Sequence, residues 1–131
     1  MQISIYLMLF ISSIISQSNG RGQQAAPIKI EDFDMIVWKA DSLGCQRKRL
    51  GLYRILINNK QKIINHSKTE VESLLGIANV VSNSRRSEFY YLESGIQCTP
   101  LKKDKDGLVD AAQLVISYRD GKVVDVLAVI P

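Results

Sequence analysis

The sequence predicts an α+β fold, with two helices packed on one face of a three-stranded antiparallel sheet. Three observations lead there. A Pro-free stretch rich in helix formers spans 41–64 and is followed by the capped segment HSKTEVESLLG, 66–76. The hydrophobic pattern then shortens to a period of two in 87–93, 112–118 and 122–130. Helices that precede a run of strands argue for helices gathered on one face of an antiparallel sheet.

Residues 1–20, MQISIYLMLFISSIISQSNG, carry no charged side chain. The apolar run 3–15 has the length of a signal-peptide core, about 7–15 residues. A membrane span needs about 20. Ser16, Ser18 and Gly20 supply small residues for cleavage. We therefore expect 1–20 to be a signal peptide and the chain to be exported, periplasmic or secreted. Once cleaved, it has no stable membrane anchor. The n-region lacks Lys and Arg, which leaves an uncleaved anchor as the alternative. Residues 21–32, broken by Pro27, read as a linker, and 33–131 as the folded domain.

In the first helix, Asp41 or Ser42 is placed to cap the start. Cys45, Leu52 and Leu56 share one side, with Leu50, Tyr53 and Ile57 beside them, while Arg47, Arg54 and Asn58 point away. Arg49 interrupts the apolar side, so its stem is expected to snorkel. In the second helix, Ser67 and Glu70 have capping-box spacing. Val71, Leu74 and Leu75 form its apolar stripe, and Gly76 supplies the left-handed residue that ends it. SEFYYLE reads as the first strand. The next places Leu114, Ile116 and Tyr118 on one face, turns at Asp120-Gly121, and returns with Val124, Val126, Ala128 and Ile130 on one face.

The chain has 131 residues, 46% apolar and 23% charged, enough for one domain with its own core. Its net charge of +4 is mild and dispersed, and does not mark a nucleic-acid binder. Two cysteines in an exported chain favour a Cys45–Cys98 disulfide, stabilising by roughly 4 kcal/mol in the chain-entropy view. Two buried free thiols are the alternative. No cofactor or metal is expected, since two Cys and the lone His66 fall short of a zinc site. Asp104 and Asp106 before Gly107 fail the register of a calcium loop. His66 has no identifiable nucleophile beside it, the acidic pairs lie in polar contexts, and no Gly-rich phosphate loop is present. The chain therefore reads as non-enzymatic. Phe89-Tyr90-Tyr91 after Arg85 and Arg86 admits a base-stacking reading, but core filling is favoured. An exposed Tyr there suits a protein-binding anchor, so Tyr90, Tyr91, Arg85 and Arg86 form a candidate binding face for a protein partner rather than a nucleic acid.

Several of these pieces occur together in one family. FDMIVWKADSLGC, a basic helix, SKTEVESLLG, FYYLESGIQC and LVISYRDGKVVDVLAVI, in that order, resemble small exported proteins of the SmpA/OmlA (BamE-like) type. The likeness is greatest to single-domain members with a W-x-x-D-x-x-G-C start and a later Y-Y-x-x-x-G-x-x-C. Here those positions are Trp38, Asp41, Gly44 and Cys45, then Tyr90, Tyr91, Gly95 and Cys98. The resemblance covers about residues 33–130. It implies a two-helix, three-strand fold, shared with secreted inhibitors of β-lactamase. It also implies an accessory role in assembling outer-membrane β-barrel proteins or in envelope integrity. The chain departs from the pattern where Ile77 replaces a Pro after Gly76, and in having no lipidated Cys. The expectation is thus a protein-binding envelope component, and the alternative is a secreted inhibitor that binds a hydrolase.

Overall fold

The computed structural model describes residues 26–99 and 111–131. The expected signal peptide, residues 21–25 of the linker, and the loop carrying Asp104 and Asp106 lie outside the described residues. The architecture is α+β. Helices α1 (Met35–Ala40), α2 (Lys48–Asn58) and α3 (Lys68–Leu75) precede a four-stranded antiparallel sheet of β1 (Val80–Ser82), β2 (Ser87–Tyr91), β3 (Gln113–Arg119) and β4 (Lys122–Val129), in the order β1-β2-β3-β4. Among the described residues there is thus one helix and one strand more than expected. Both additions are too short for periodicity to show: α1 has 6 residues and β1 has 3.

The packed body also begins before Phe33. Ile30 is buried in the core and Ile28 packs against it, so the last residues of the expected linker belong to the domain. Asp34 then starts α1, its carboxylate accepting from the Ile36 and Val37 amides at 3.1 and 3.0 Å.

The long helix expected over 41–64 is shorter, because its first turns are spent on a folded loop. Gly44 (φ 73°) and Arg47 (φ 59°) both adopt left-handed backbone there. Asp41 does cap the helix, but from a distance. Its carboxylate accepts from the amides of Gln46, Lys48 and Arg49 at 3.0, 2.8 and 3.2 Å. At the other end a 3₁₀ turn, Lys60–Lys62, replaces the final α-helical turns.

Helix α3 follows its local signals. The Ser67 hydroxyl accepts from the Glu70 amide at 3.3 Å and the Glu70 carboxylate accepts from the Ser67 amide at 2.7 Å, completing the capping box. That backbone hydrogen bond holds the Glu70 carboxyl below the ordinary carboxylate range. Gly76 ends the helix at φ 78°, ψ −173°, an extended positive-φ state open to glycine rather than the left-handed helical one. The carbonyls freed at this end find tertiary donors. Lys39 Nζ reaches Ser73 O, Trp38 Nε1 donates to Leu75 O at 3.1 Å, and Tyr90 Oη donates to Gly76 O at 3.1 Å.

The β3–β4 hairpin turns at Asp120 (φ 50°) and Gly121 (φ 74°), the paired positive φ values of a type I′ turn. Pairing shifts between Ser117 and Tyr118, where Ser117 faces Asp125 and Tyr118 faces Val123, so Val124 is the extra residue of a bulge. This corrects the expected face of β4. Val123, Val126 and Ala128 point to the helices, whereas Val124 and Ile130 are exposed.

Two predictions follow from these ends. Ser67→Ala is expected to cost about 1 kcal/mol in urea unfolding, with the fold retained. A Cβ on Gly44 would lie 2.7 Å from Tyr91 O, whereas one on Gly121 meets nothing within 4 Å. Gly121→Ala should therefore cost about 1 kcal/mol from its backbone alone. Gly44→Ala should cost about 3 kcal/mol or more, since the β2 backbone must also move; equal losses would show that the close approach carries no strain.

Candidate functional site

The register of the sheet separates its two faces. Glu88, Tyr90, Leu114, Ile116, Tyr118 and Val126 lie on the side that meets the helices. The opposite side carries a row that crosses all four strands: Val80 faces Phe89, Phe89 faces Val115, and Val115 faces Leu127. None of these four belongs to the core cluster formed with the helices. Tyr91, Gln113 and Val129 form the next row, and Ser82, Ser87, Ser117 and Asp125 make a polar row on the other side of it. The outer face is thus an apolar band with one hydrophilic margin.

The candidate binding residues are divided by this arrangement. Tyr90 is fully buried, tilted against Trp38 at 6.3 Å between ring centres, with its hydroxyl on Gly76 O. Its chemistry is that of a core residue. Tyr91 lies on the outer face but is 7% exposed. Arg85 and Arg86 are exposed in the β1–β2 turn, beyond the serine end of the band. Sequence density of aromatics could not separate neighbours in a strand that point opposite ways, and no motif marked Leu127 or Val115.

Cys45 and Cys98 form a disulfide, with 5.8 Å between their Cα atoms. It joins the loop before α2 to a 3₁₀ turn, Ile96–Cys98, that follows β2. Gln97 reinforces the junction by donating to Leu43 O and Glu93 O at 3.1 and 2.8 Å. The bond therefore fixes the loop whose Gly44 abuts Tyr91, at the end of the sheet away from both hairpin turns.

Glu88 was not singled out by the sequence, because a lone Glu in SEFYYLE looks like a solvated strand residue. It is 2% exposed and faces the helices. The Tyr118 hydroxyl donates to its Oε2 at 2.9 Å, and the Lys68 ammonium stands 3.0 Å from its Oε1, a charge contact rather than an aligned hydrogen bond. That contact raises the Lys68 pKa. Burial, and then the Glu88 charge, push both Tyr90 and Tyr118 well above the ordinary tyrosine value; burial alone raises Tyr91. His66 Nδ1 lies 3.0 Å from Glu70 Oε2, inside the cap of α3. Among the described residues, no three His, Cys, Asp or Glu side chains are grouped to hold a metal, and no helix is long and apolar enough to cross a membrane.

No family model, curated protein or solved structure matches the chain. The likeness to the SmpA/OmlA type rests on the motifs alone.

The raised tyrosines give an alkaline prediction. The unfolded chain releases their protons near pH 10, while the folded chain retains them. Their contribution is therefore complete below pH 10 and declines as pH rises beyond it. Urea midpoints measured across that range should fall, and Tyr118→Phe should flatten the fall. A Tyr118→Phe curve parallel to the parent would remove Tyr118 from the effect.

Proposed function

We propose that this protein is a non-enzymatic component of the cell envelope that acts by binding another protein, in a role accessory to outer-membrane protein assembly or envelope integrity. The observation that carries the binding role is the β4 end of the sheet face turned away from the helices, where Leu127 is 39% exposed and Val129, in the next row, 51% exposed; along the row behind Leu127, Val80 and Phe89 are half-buried and Val115 is buried. Such a band, bounded by serines and by cations at one end, has the make-up of a contact patch: apolar centre, polar rim. The disulfide suits an oxidising compartment outside the cytoplasm. The motif order along the chain supports the envelope-assembly context.

Photo-crosslinking tests this reading. A photoreactive residue at Leu127 or Val80 is expected to capture an envelope protein in living cells, whereas one at Arg54 on α2 is not. Barrel-assembly components in the adduct support the assembly role. A single soluble hydrolase instead supports the secreted-inhibitor reading of the same fold. Adducts from Arg54 with none from the sheet face would overturn the assignment of the surface. Leu127→Asp should abolish capture and leave the unfolding midpoint nearly unchanged, since surface substitutions are usually within about 0.5 kcal/mol.

A further inference from the structure

Both hairpin turns lie at one end of the sheet. Ser82 faces Ser87 and Ser87 faces Ser117, so the turns at 83–86 and 120–121 stand side by side. The start of α3 joins them, because Ser67 bridges to Lys122. Between these three segments is a depression of about 220 Å³, walled by Val81 and Tyr118 and reached by Lys68 and Arg86, with Glu88 among its lining residues.

Cations gather at this end of the sheet, and two of them, Lys68 and Arg86, line the depression. Lys68, Arg85, Arg86, Arg119 and Lys122 are all exposed on the three segments that meet here. The acids at this end are mostly engaged: Glu70 is held in the cap of α3 with His66, and Asp125 takes the Val126 amide and faces Lys60. Glu88 is buried with Tyr118 and Lys68 as partners, Glu72 stands 3.9 Å from the same Lys68, and Asp120 sits in the β3–β4 turn. Glu88 therefore acts as a positioning residue: it holds the Lys68 ammonium at the depression instead of leaving it free on a flexible stem. An ammonium has three donors, and the Glu88 contact leaves others for an incoming group. A cation fixed beforehand loses less side-chain entropy on binding.

We propose that this end of the sheet recognises carboxylates, and that its partner is an acidic segment of a protein. One carboxylate seats in the depression between Lys68 and Arg86, and neighbouring acids meet Arg85, Arg119 and Lys122. Guanidinium groups match carboxylates as planar, two-pronged donors. The concave shape and the Val81 and Tyr118 walls favour a side chain with a short apolar stem over a flat anionic surface. This inference rests on the reading of the protein as a binding module and adds the chemistry of what it binds.

The test uses the full chain and a dye-labelled peptide of alternating Glu and Val, with a Gln-Val peptide as its neutral counterpart, read by fluorescence anisotropy. The Glu peptide should bind, with affinity that falls as salt rises, and the Gln peptide should not. Arg85→Gln with Arg86→Gln should weaken binding at least about tenfold, as expected for losing two charge-assisted contacts. Lys48→Gln with Arg54→Gln, which removes the same charge from exposed α2 positions, should leave it unchanged. Arg119→Gln, on the second turn, gives an independent weakening that does not disturb β1. Equal binding of the two peptides, or equal losses from the α2 and hairpin variants, overturns the proposal. So does binding to phosphatidylglycerol vesicles with the same Arg85 and Arg86 dependence when the peptide shows none. If Leu127 still captures its partner while the peptide fails to bind, only the carboxylate assignment falls. If the sheet face captures nothing as well, the binding reading falls with it.

Discussion

The fold depends on one buried cation. The Arg49 side chain is 2% exposed, on the helix that packs over the sheet, and its guanidinium stands between Trp38 at 5.0 Å and Tyr90 at 5.7 Å from the ring centres. It donates to Trp38 O at 3.0 Å, Asn79 Oδ1 at 2.9 Å and Tyr91 O at 3.5 Å. A charge in such a place costs several kcal/mol of lost hydration unless its donors are taken up and an opposite charge is near. Burial accordingly lowers the Arg49 pKa, and the nearby Asp41 carboxylate works against that shift. Asp41, itself 3% exposed, spends its oxygens on the amides that begin α2. One acid and one base thus fix where α2 starts and how α1, α2 and β2 meet.

Asn79 extends the same network. Its Oδ1 accepts from Arg49 and from the Tyr91 amide, and its Nδ2 donates to Ser42 O at 2.7 Å. The segment leaving α3 is thereby tied to the loop that carries Gly44 and the disulfide. With α3's terminal carbonyls also taken by Lys39, Trp38 and Tyr90, the helix side of the molecule has its strongest polar groups committed to one another. The proposed recognition draws on what remains: the outer sheet face and the hairpin end.

What the sequence made legible divides along physical lines. Features written in adjacent residues were readable: the Ser67–Glu70 box, the Asp120-Gly121 turn and the even faces of β3. Features that depend on a distant partner were not, apart from the Cys45–Cys98 bond, which spans 53 positions but joins the chain's two cysteines. Arg49 looked like a side chain that must reach solvent, because only the folded chain brings Trp38 O, Asn79 and two rings to it. The bulge at Val124 altered the face of β4, since one extra residue shifts a period-two pattern that continues unbroken in the letters. Tyr90 and Tyr91 are adjacent and chemically alike, and only the register assigns one to the core and one to the outer face. Glu88 drew no notice for the same reason: its ion pair spans 20 positions of chain to Lys68.

The sheet edges explain why the proposed partner is assigned to the face or the hairpin end rather than to an added strand. An unpaired edge offers its backbone groups to any extended chain. Here the 65–67 segment occupies part of β4: Asn65 N donates to Val123 O, and Val123 N to His66 O, both at 2.9 Å. Further along, the Asp125 carboxylate takes the Val126 amide at 2.8 Å, and Lys60 stands 3.6 Å from that same oxygen. An added strand would have to displace a charged group already paired, and the bulge at Val124 bends the ladder it would follow. At the opposite edge β1 has only 3 residues, too few for a stable ladder. With both edges closed to strand addition, side-chain recognition is the chemistry the sheet has left: apolar contact across Phe89 and Leu127, and charge at Arg85, Arg86 and Lys68.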